Sequence, residues 1–195
     1  MTAPYHYVRP DVIANLGAEN PFEGLEGQAT RFAYAAALLE LAETNPDVVV
    51  LDADVSKSIK TNQFAEKYPD RSFNFGIAEQ NMMAAAAGMA STGLVPFVST
   101  YAVFASMRAL DQLRNSIHYP KLNVKVGASH SGITPGPDGV THQAQEDMSL
   151  LRALANSTVI AGADSVTVGK ATHASAAWDG PVYLSFTRDP VPYIY

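Results

Sequence analysis

Asn74-Phe75-Gly76-Ile77-Ala78-Glu79-Gln80-Asn81-Met82 sets one carboxylate, Glu79, between an apolar segment and a run of small residues, Ala84 to Ala87, Gly88 and Ala90. The pattern predicts a strand end turning into a tightly packed helix, with Glu79 at the helix N-terminus and partly out of water. Two roles are open to such a side chain. It can stabilise the helix dipole as an N-cap or first-turn acid, or it can serve as a tuned acid in a site.

Outward from this stretch, strands and helices alternate. Hydrophobic spacing predicts helices over 29–44, 63–68, 104–117, 147–155 and 165–178, and strands over 48–51, 95–99, 124–128, 158–160 and, as the last, 182–186. Val48-Val49-Val50-Leu51 is apolar throughout, as in a strand buried on both faces of a parallel sheet. Residues 52–62 read as a polar loop. The order predicts an α/β domain, three-layer α/β/α, with a mostly parallel sheet. Ligands of such sheets bind beyond the carboxyl ends of the strands, which directs attention to the loops after Leu51, Ser99 and Ala128. Residues 1–27 carry Pro4, Pro10, Gly17, Pro21, Gly24 and Gly27 with little periodicity. They read as an N-terminal arm, anchored through Tyr5 and Tyr7 to another surface, and residues 28–195 as the domain.

Composition excludes several classes. The chain has 195 residues, 47% apolar and 16% charged, which suits one globular domain with a full core. A net charge of −6 argues against nucleic acid or an anionic membrane as partner. With no cysteine, disulfides, thiolate metal sites and cysteine nucleophiles are excluded. The first ten residues lack a signal-peptide pattern and no run is long enough to span a bilayer, so the cytoplasm is the expected compartment.

The loop His130-Ser131-Gly132-Ile133-Thr134-Pro135-Gly136-Pro137-Asp138-Gly139-Val140-Thr141-His142-Gln143 brackets glycines, prolines and Asp138 between two histidines. Glycine allows close backbone approach to a ligand, and histidine donates to hydroxyl or phosphate oxygens or exchanges protons near neutral pH. A surface turn with solvated histidines is the other reading. No carboxylate has a metal-ligand spacing to both histidines, so no metal site is expected. Tyr101, Phe104 and Met107 recur every three residues, as a core stripe or as a wall for a flat heteroaromatic ring. Arg31 and Arg188 stand out among few cations, either as surface ion-pair partners or as forks for a phosphate or sulfonate. Ser58 adds a hydroxyl donor. Neither common glycine-rich nucleotide loop is present.

Three segments in this order resemble the pyrimidine-binding domain of transketolase: 75–82, 96–104 and 138–143, within a likeness running from about Gln28 to Pro192. The small subunit of split bacterial transketolases is similar in style, and Ala78-Glu79-Gln80 is also similar to deoxyxylulose-phosphate synthase. The resemblance implies a thiamine-diphosphate-binding fold and transfer of a two-carbon ketol unit between phosphorylated or otherwise anionic sugars. It implies that Glu79 hydrogen-bonds a ring nitrogen of the aminopyrimidine and favours the tautomer that takes the thiazolium proton. Phe104 matches the ring that stacks on the pyrimidine, with Tyr101 beside it, Met107 at the pocket edge and Asp54 near the cofactor. His142 and His130 match histidines near the reacting carbonyl and hydroxyls, Asp138 a hydroxyl-recognising aspartate, and Arg31, Ser58 and Arg188 the sugar-phosphate site. The family's Gly-Asp-Gly element for diphosphate and Mg²⁺ is missing. A separate diphosphate-binding subunit is therefore implied, in a dimer of heterodimers, holding the Mg²⁺. The family's third domain is also absent, by natural loss, by an artificial boundary or as another gene product. The alternatives are a carboligase using an α-keto acid and a non-catalytic assembly subunit.

Overall fold

The computed structural model describes residues 8–15, 17–20 and 23–195. Strands β2 (Val48–Asp52), β3 (Ser72–Asn74), β4 (Val95–Tyr101), β5 (Lys125–Ser129), β6 (Thr158–Ala161) and β7 (Val182–Ser185) form one parallel sheet of order β3-β2-β4-β5-β7-β6. A second, antiparallel pair joins β1 (Gly27–Ala29) to β8 (Pro190–Pro192).

Every residue of β2 is buried. Because successive side chains of a strand point to opposite faces, Val48 and Val50 enter one core and Val49 and Leu51 the other. The first core is closed by α2 (Thr30–Thr44), with Tyr34 and Leu38, and by α8 (Ser165–Ala177), with Val168. Ala33 on α2 faces Gly169 on α8, which lets the two helices approach closely. The second core takes Met82, Met83 and Ala86 from α5 (Glu79–Ser91), Leu113 and Ile117 from the 104–118 segment, and Leu151 from α7 (Asp147–Arg152). This is the three-layer α/β/α arrangement predicted from the alternation.

Several expectations need correction. Residues 104–117 are not one regular helix. The turns Phe104–Arg108 and Leu113–His118 are π-type, on either side of α6 (Leu110–Gln112). The loop after β2 contains a short helix, α3 (Ser56–Ile59), ahead of α4 (Asn62–Lys67). The strand over 182–186 is not the last, since β8 follows it. Strand β3 is three residues at the sheet edge, too short and too polar to register as a periodic signal. Within 1–27 the chain forms a helix, α1 (Pro10–Asn15), that buries Val12. Arg9 N donates to Ile194 O at 2.8 Å and Tyr193 N to Glu26 O at 3.0 Å, tying the segment to the residues that follow β8. Tyr5 and Tyr7 lie outside the described residues. Among those residues no helix is long and apolar enough to cross a membrane.

Lys125, at the start of β5, is 1% exposed. Its ammonium donates to the carbonyls of Trp178 at 2.6 Å and Gly180 at 2.7 Å, fastening the end of α8 to the sheet. Burial brings its pKa down to about 8, with the Asp179 charge a partial offset. In the unfolded chain the proton stays on up to the ordinary lysine value of 10.5. The unfolded state therefore binds more protons between the two values, and stability rises with pH across that window. The full difference is worth up to about 3 kcal/mol. Urea midpoints of the wild type are expected to rise relative to Lys125→Met from about pH 7.5 to 10. Parallel profiles would mean that the amine is solvated.

Candidate active site

The chemistry-bearing side chains gather where the parallel strands end. After β3 the chain turns sharply. Gly76 adopts a left-handed φ of 67°, its N–H donates to Asn74 Oδ1 at 2.9 Å, and Ala78 N donates to Gly76 O at 2.8 Å. This turn starts α5 on Glu79 itself, whose side chain is 2% exposed. Glu79 Oε2 accepts from Arg108 Nη1 at 2.9 Å, and Oε1 has no hydrogen bond among the described residues.

The loop after β2 hangs on Asp52, which accepts from Val55 N at 2.8 Å and Thr61 Oγ1 at 3.0 Å. Burial raises the Asp52 pKa, and those hydrogen bonds oppose the rise. So held, the loop presents Asp54, in a left-handed conformation with φ 64°, and Ser58. Glu79, Asp54, Tyr101, Phe104, Arg108 and His142 line a cleft of about 520 Å³, together with Ala53, Val55, Ile77 and Thr141.

An aromatic column runs behind it. The His130 ring stacks on Tyr101 at 4.0 Å between centroids, Tyr101 lies near-parallel to Phe104 at 5.8 Å, and the Arg108 guanidinium sits 4.2 Å from the Phe104 centroid. His142 meets Phe104 edge-on at 5.2 Å, its Nδ1 hydrogen-bonded to Thr141 Oγ1 at 3.0 Å.

The side chains whose chemistry suits an anion gather at the other side of Tyr101. Ser58 Oγ is 2.9 Å from Tyr101 Oη and 3.3 Å from His130 Nε2, and Arg31 Nη1 donates to the Ser58 carbonyl at 3.1 Å. Arg188 donates to the Pro135 carbonyl and pairs with Asp138 at 3.5 Å. Burial, helped by the charges of Arg31 and Arg188, lowers the His130 pKa to about 4. His130 is thus neutral at pH 7. It is fully buried, in a left-handed backbone with φ 61°, and its Nδ1 is 2.8 Å from Ser129 Oγ. Exchange of protons near neutral pH, open to it from sequence, does not suit this environment.

Of the residues singled out from sequence, Glu79, Asp54, Tyr101, Phe104 and His142 share the cleft. Arg31, Ser58, His130, Asp138 and Arg188 form the adjoining cluster. Met107 joins neither; it lies in a separate groove with Val103, Val140 and Glu146. The wider i→i+5 turn explains this, because it moves the position sharing a face with Phe104 from 107 toward 108. The same turn brings in Arg108, which sequence spacing passes over. Its only signal is its place four residues after an aromatic.

These side chains fit an aminopyrimidine ring: a flat aromatic wall beside a buried carboxylate with one oxygen free. Among the described residues no three His, Asp or Glu side chains gather as a cation site.

The profile for "Transketolase, pyrimidine binding domain" matches residues 26–192. The chain belongs to the transketolase family, whose members are thiamine-diphosphate-dependent transferases. It is 46% identical over 165 residues to a Methanocaldococcus jannaschii protein described as a transketolase C-terminal section, covering 85% of this chain and 52% of that one. It is 39% identical over 171 residues to the 6-deoxy-6-sulfo-D-fructose transketolase subunit SqwH of Clostridium sp. (strain MSTE9), covering 87% and 53%. A solved "split gene transketolase, inactive beta4 tetramer" superposes with a TM-score of 0.78 at 49% identity, over 87% of this chain and 55% of that one. The chain thus spans about half the length of these relatives.

Proposed function

We propose that the chain is the pyrimidine-binding half of a two-subunit transketolase-type enzyme that moves a two-carbon ketol unit between sugars bearing an anionic end group. The observation that carries this reading is the pairing of a buried carboxylate, with Glu79 Oε1 free, and the Phe104–Tyr101 wall in one cleft. Residues 28–195 act as the catalytic half-domain, and the arm 1–27 helps dock the partner. That partner is a separate diphosphate-binding subunit, which holds the cofactor's charged tail and Mg²⁺ in a dimer of heterodimers. The likeness to proteins described as a subunit and as a C-terminal section supports this division, as does the tetramer described as inactive.

When bound, thiamine diphosphate supplies the carbon–carbon chemistry. This chain's part is to bind and orient. Glu79 Oε1 accepts from, or shares a proton with, a ring nitrogen of the pyrimidine. Phe104 and Tyr101 wall the ring and exclude water, with Asp54 at the cleft edge. His142, free at its second ring nitrogen, contacts the substrate carbonyl and hydroxyls, and Asp138 a further hydroxyl. Arg31, Ser58, His130 and Arg188 hold the sugar's phosphate or sulfonate. His130, being neutral, contributes a hydrogen bond rather than charge. Such a protein works in the cytoplasm.

Co-purification with the product of the neighbouring gene, then titration with thiamine diphosphate and Mg²⁺, tests the reading. The cofactor is expected to bind the complex and not this chain alone, and ketose phosphates or sulfonates are expected to serve as donors. Release of CO₂ from pyruvate would favour the carboligase reading instead. No two-carbon transfer by any reconstituted pair would favour an assembly subunit.

A further inference from the structure

Glu79 is buried, yet among the described residues only one of its two oxygens has a hydrogen-bond partner. That oxygen, Oε2, is held at 2.9 Å by a guanidinium whose flat face rests 4.2 Å from the Phe104 ring centroid. Arg108 therefore touches both walls of the cleft that the proposed function assigns to the pyrimidine. Its own side chain is 44% exposed, so its charge is half hydrated while the carboxylate it meets is not. A planar fork stacked on a ring has few orientations, unlike an ammonium on a flexible stem. The other ionisable groups around the cleft, Asp54, Tyr101 and His142, form no hydrogen bond or ion pair with Glu79; they bond instead to Asn74, Ser58 and Thr141.

We propose that Arg108 is a positioning residue: it holds Glu79 Oε2 and braces Phe104, so that Oε1 alone is presented to the ring nitrogen. The proposal rests on the reading of Glu79 and Phe104 given above. It acts through Glu79 and involves no contact of Arg108 with substrate. The chemistry is one of aim, since a carboxylate free to rotate offers either oxygen at either angle and loses alignment with the ring.

The test uses the reconstituted complex with thiamine diphosphate and Mg²⁺, in wild type and in Arg108→Met, Arg108→Lys and Arg108→Ala. In Arg108→Met, kcat is expected to fall by about a hundredfold with the sugar KM within about twofold, since the anion cluster is untouched. The near-ultraviolet circular dichroism of the bound aminopyrimidine, which reports its tautomer, is expected to change with it. Arg108→Lys keeps the charge but not the fork and is expected to recover only part of kcat. Methylguanidinium added below denaturing concentration is expected to restore part of the Arg108→Ala turnover. An unchanged kcat and unchanged dichroism in Arg108→Met would overturn the inference, and so would tighter cofactor binding, which would make Arg108 an obstruction. A wild-type complex that binds no cofactor would instead fail the functional reading. The pairing itself is then read on this chain alone. Melting temperatures of Glu79→Gln, Arg108→Met and the double variant are expected to be non-additive by a few degrees, and additivity would remove the physical basis for the proposal.

Discussion

Glu79→Ala is expected to lower the turnover of the reconstituted enzyme by about 100- to 10,000-fold, the range over which a positioned acid–base group contributes. The geometry makes the effect specific. Glu79 lines the cleft with its side chain 2% exposed, whereas Ile77, Ile133 and Val140 are exposed apolar side chains. Removing the carboxylate leaves Arg108, which is 44% exposed and can hydrate, so the fold loses little. Glu79→Gln preserves shape and hydrogen-bonding capacity without the charge and is expected to fall within the same range. Steady-state turnover measured beside size-exclusion chromatography of the complex separates chemistry from assembly. Turnover within twofold of wild type would remove Glu79 from the mechanism.

The second large effect concerns the sheet. Gly127 lies in β5 beneath Tyr34, which reaches from α2 to share a 2.9 Å hydrogen bond with Ser99 on β4. A Cβ at 127 would stand 2.3 Å from Tyr34 Oη and 2.4 Å from its Cζ. Tyr34 is fully buried and also packs on Phe186 at 4.9 Å between ring centroids, so it has no room to retreat. Gly127→Ala is expected to cost about 1–3 kcal/mol, the usual penalty of overpacking, and to lower the melting temperature by about 3–10 °C. Combining it with Tyr34→Leu is expected to return part of that loss, because the smaller side chain vacates the space. A melting temperature of Gly127→Ala within about a degree of wild type would show that the ring can move aside.

Much of this architecture is legible because its signals are local. An all-apolar run such as Val48–Leu51, short and mostly β-branched, suits a strand buried inside a parallel sheet, and the small residues after Glu79 suit a helix pressed against one. The placement of Glu79 at the first position of α5 follows from the same reading. Elements whose cause is non-local are not legible. Strand β3 exists because β2 offers it an edge, and β1 and β8 exist because they pair across the whole chain. The site divides along the same line. Glu79, Phe104 and His142 sit in segments with distinctive composition. Arg108 reaches Glu79 only because a π-type turn replaces the α-helical spacing, which also carries Met107 out of the cleft. His130 reads from sequence as a proton-exchanging or solvated histidine in a Gly/Pro-rich loop, whereas the stacking of Tyr101 and the fold of the chain over it make it a buried, neutral ring.

The ladder between β1 and β8 also constrains the order in which the molecule is made. A ribosome releases Gly27 to Ala29 long before Pro190 to Pro192 exist, so the earlier strand must wait unpaired while the sheet and helices settle around it. Closure of that loop is then a late step in biogenesis.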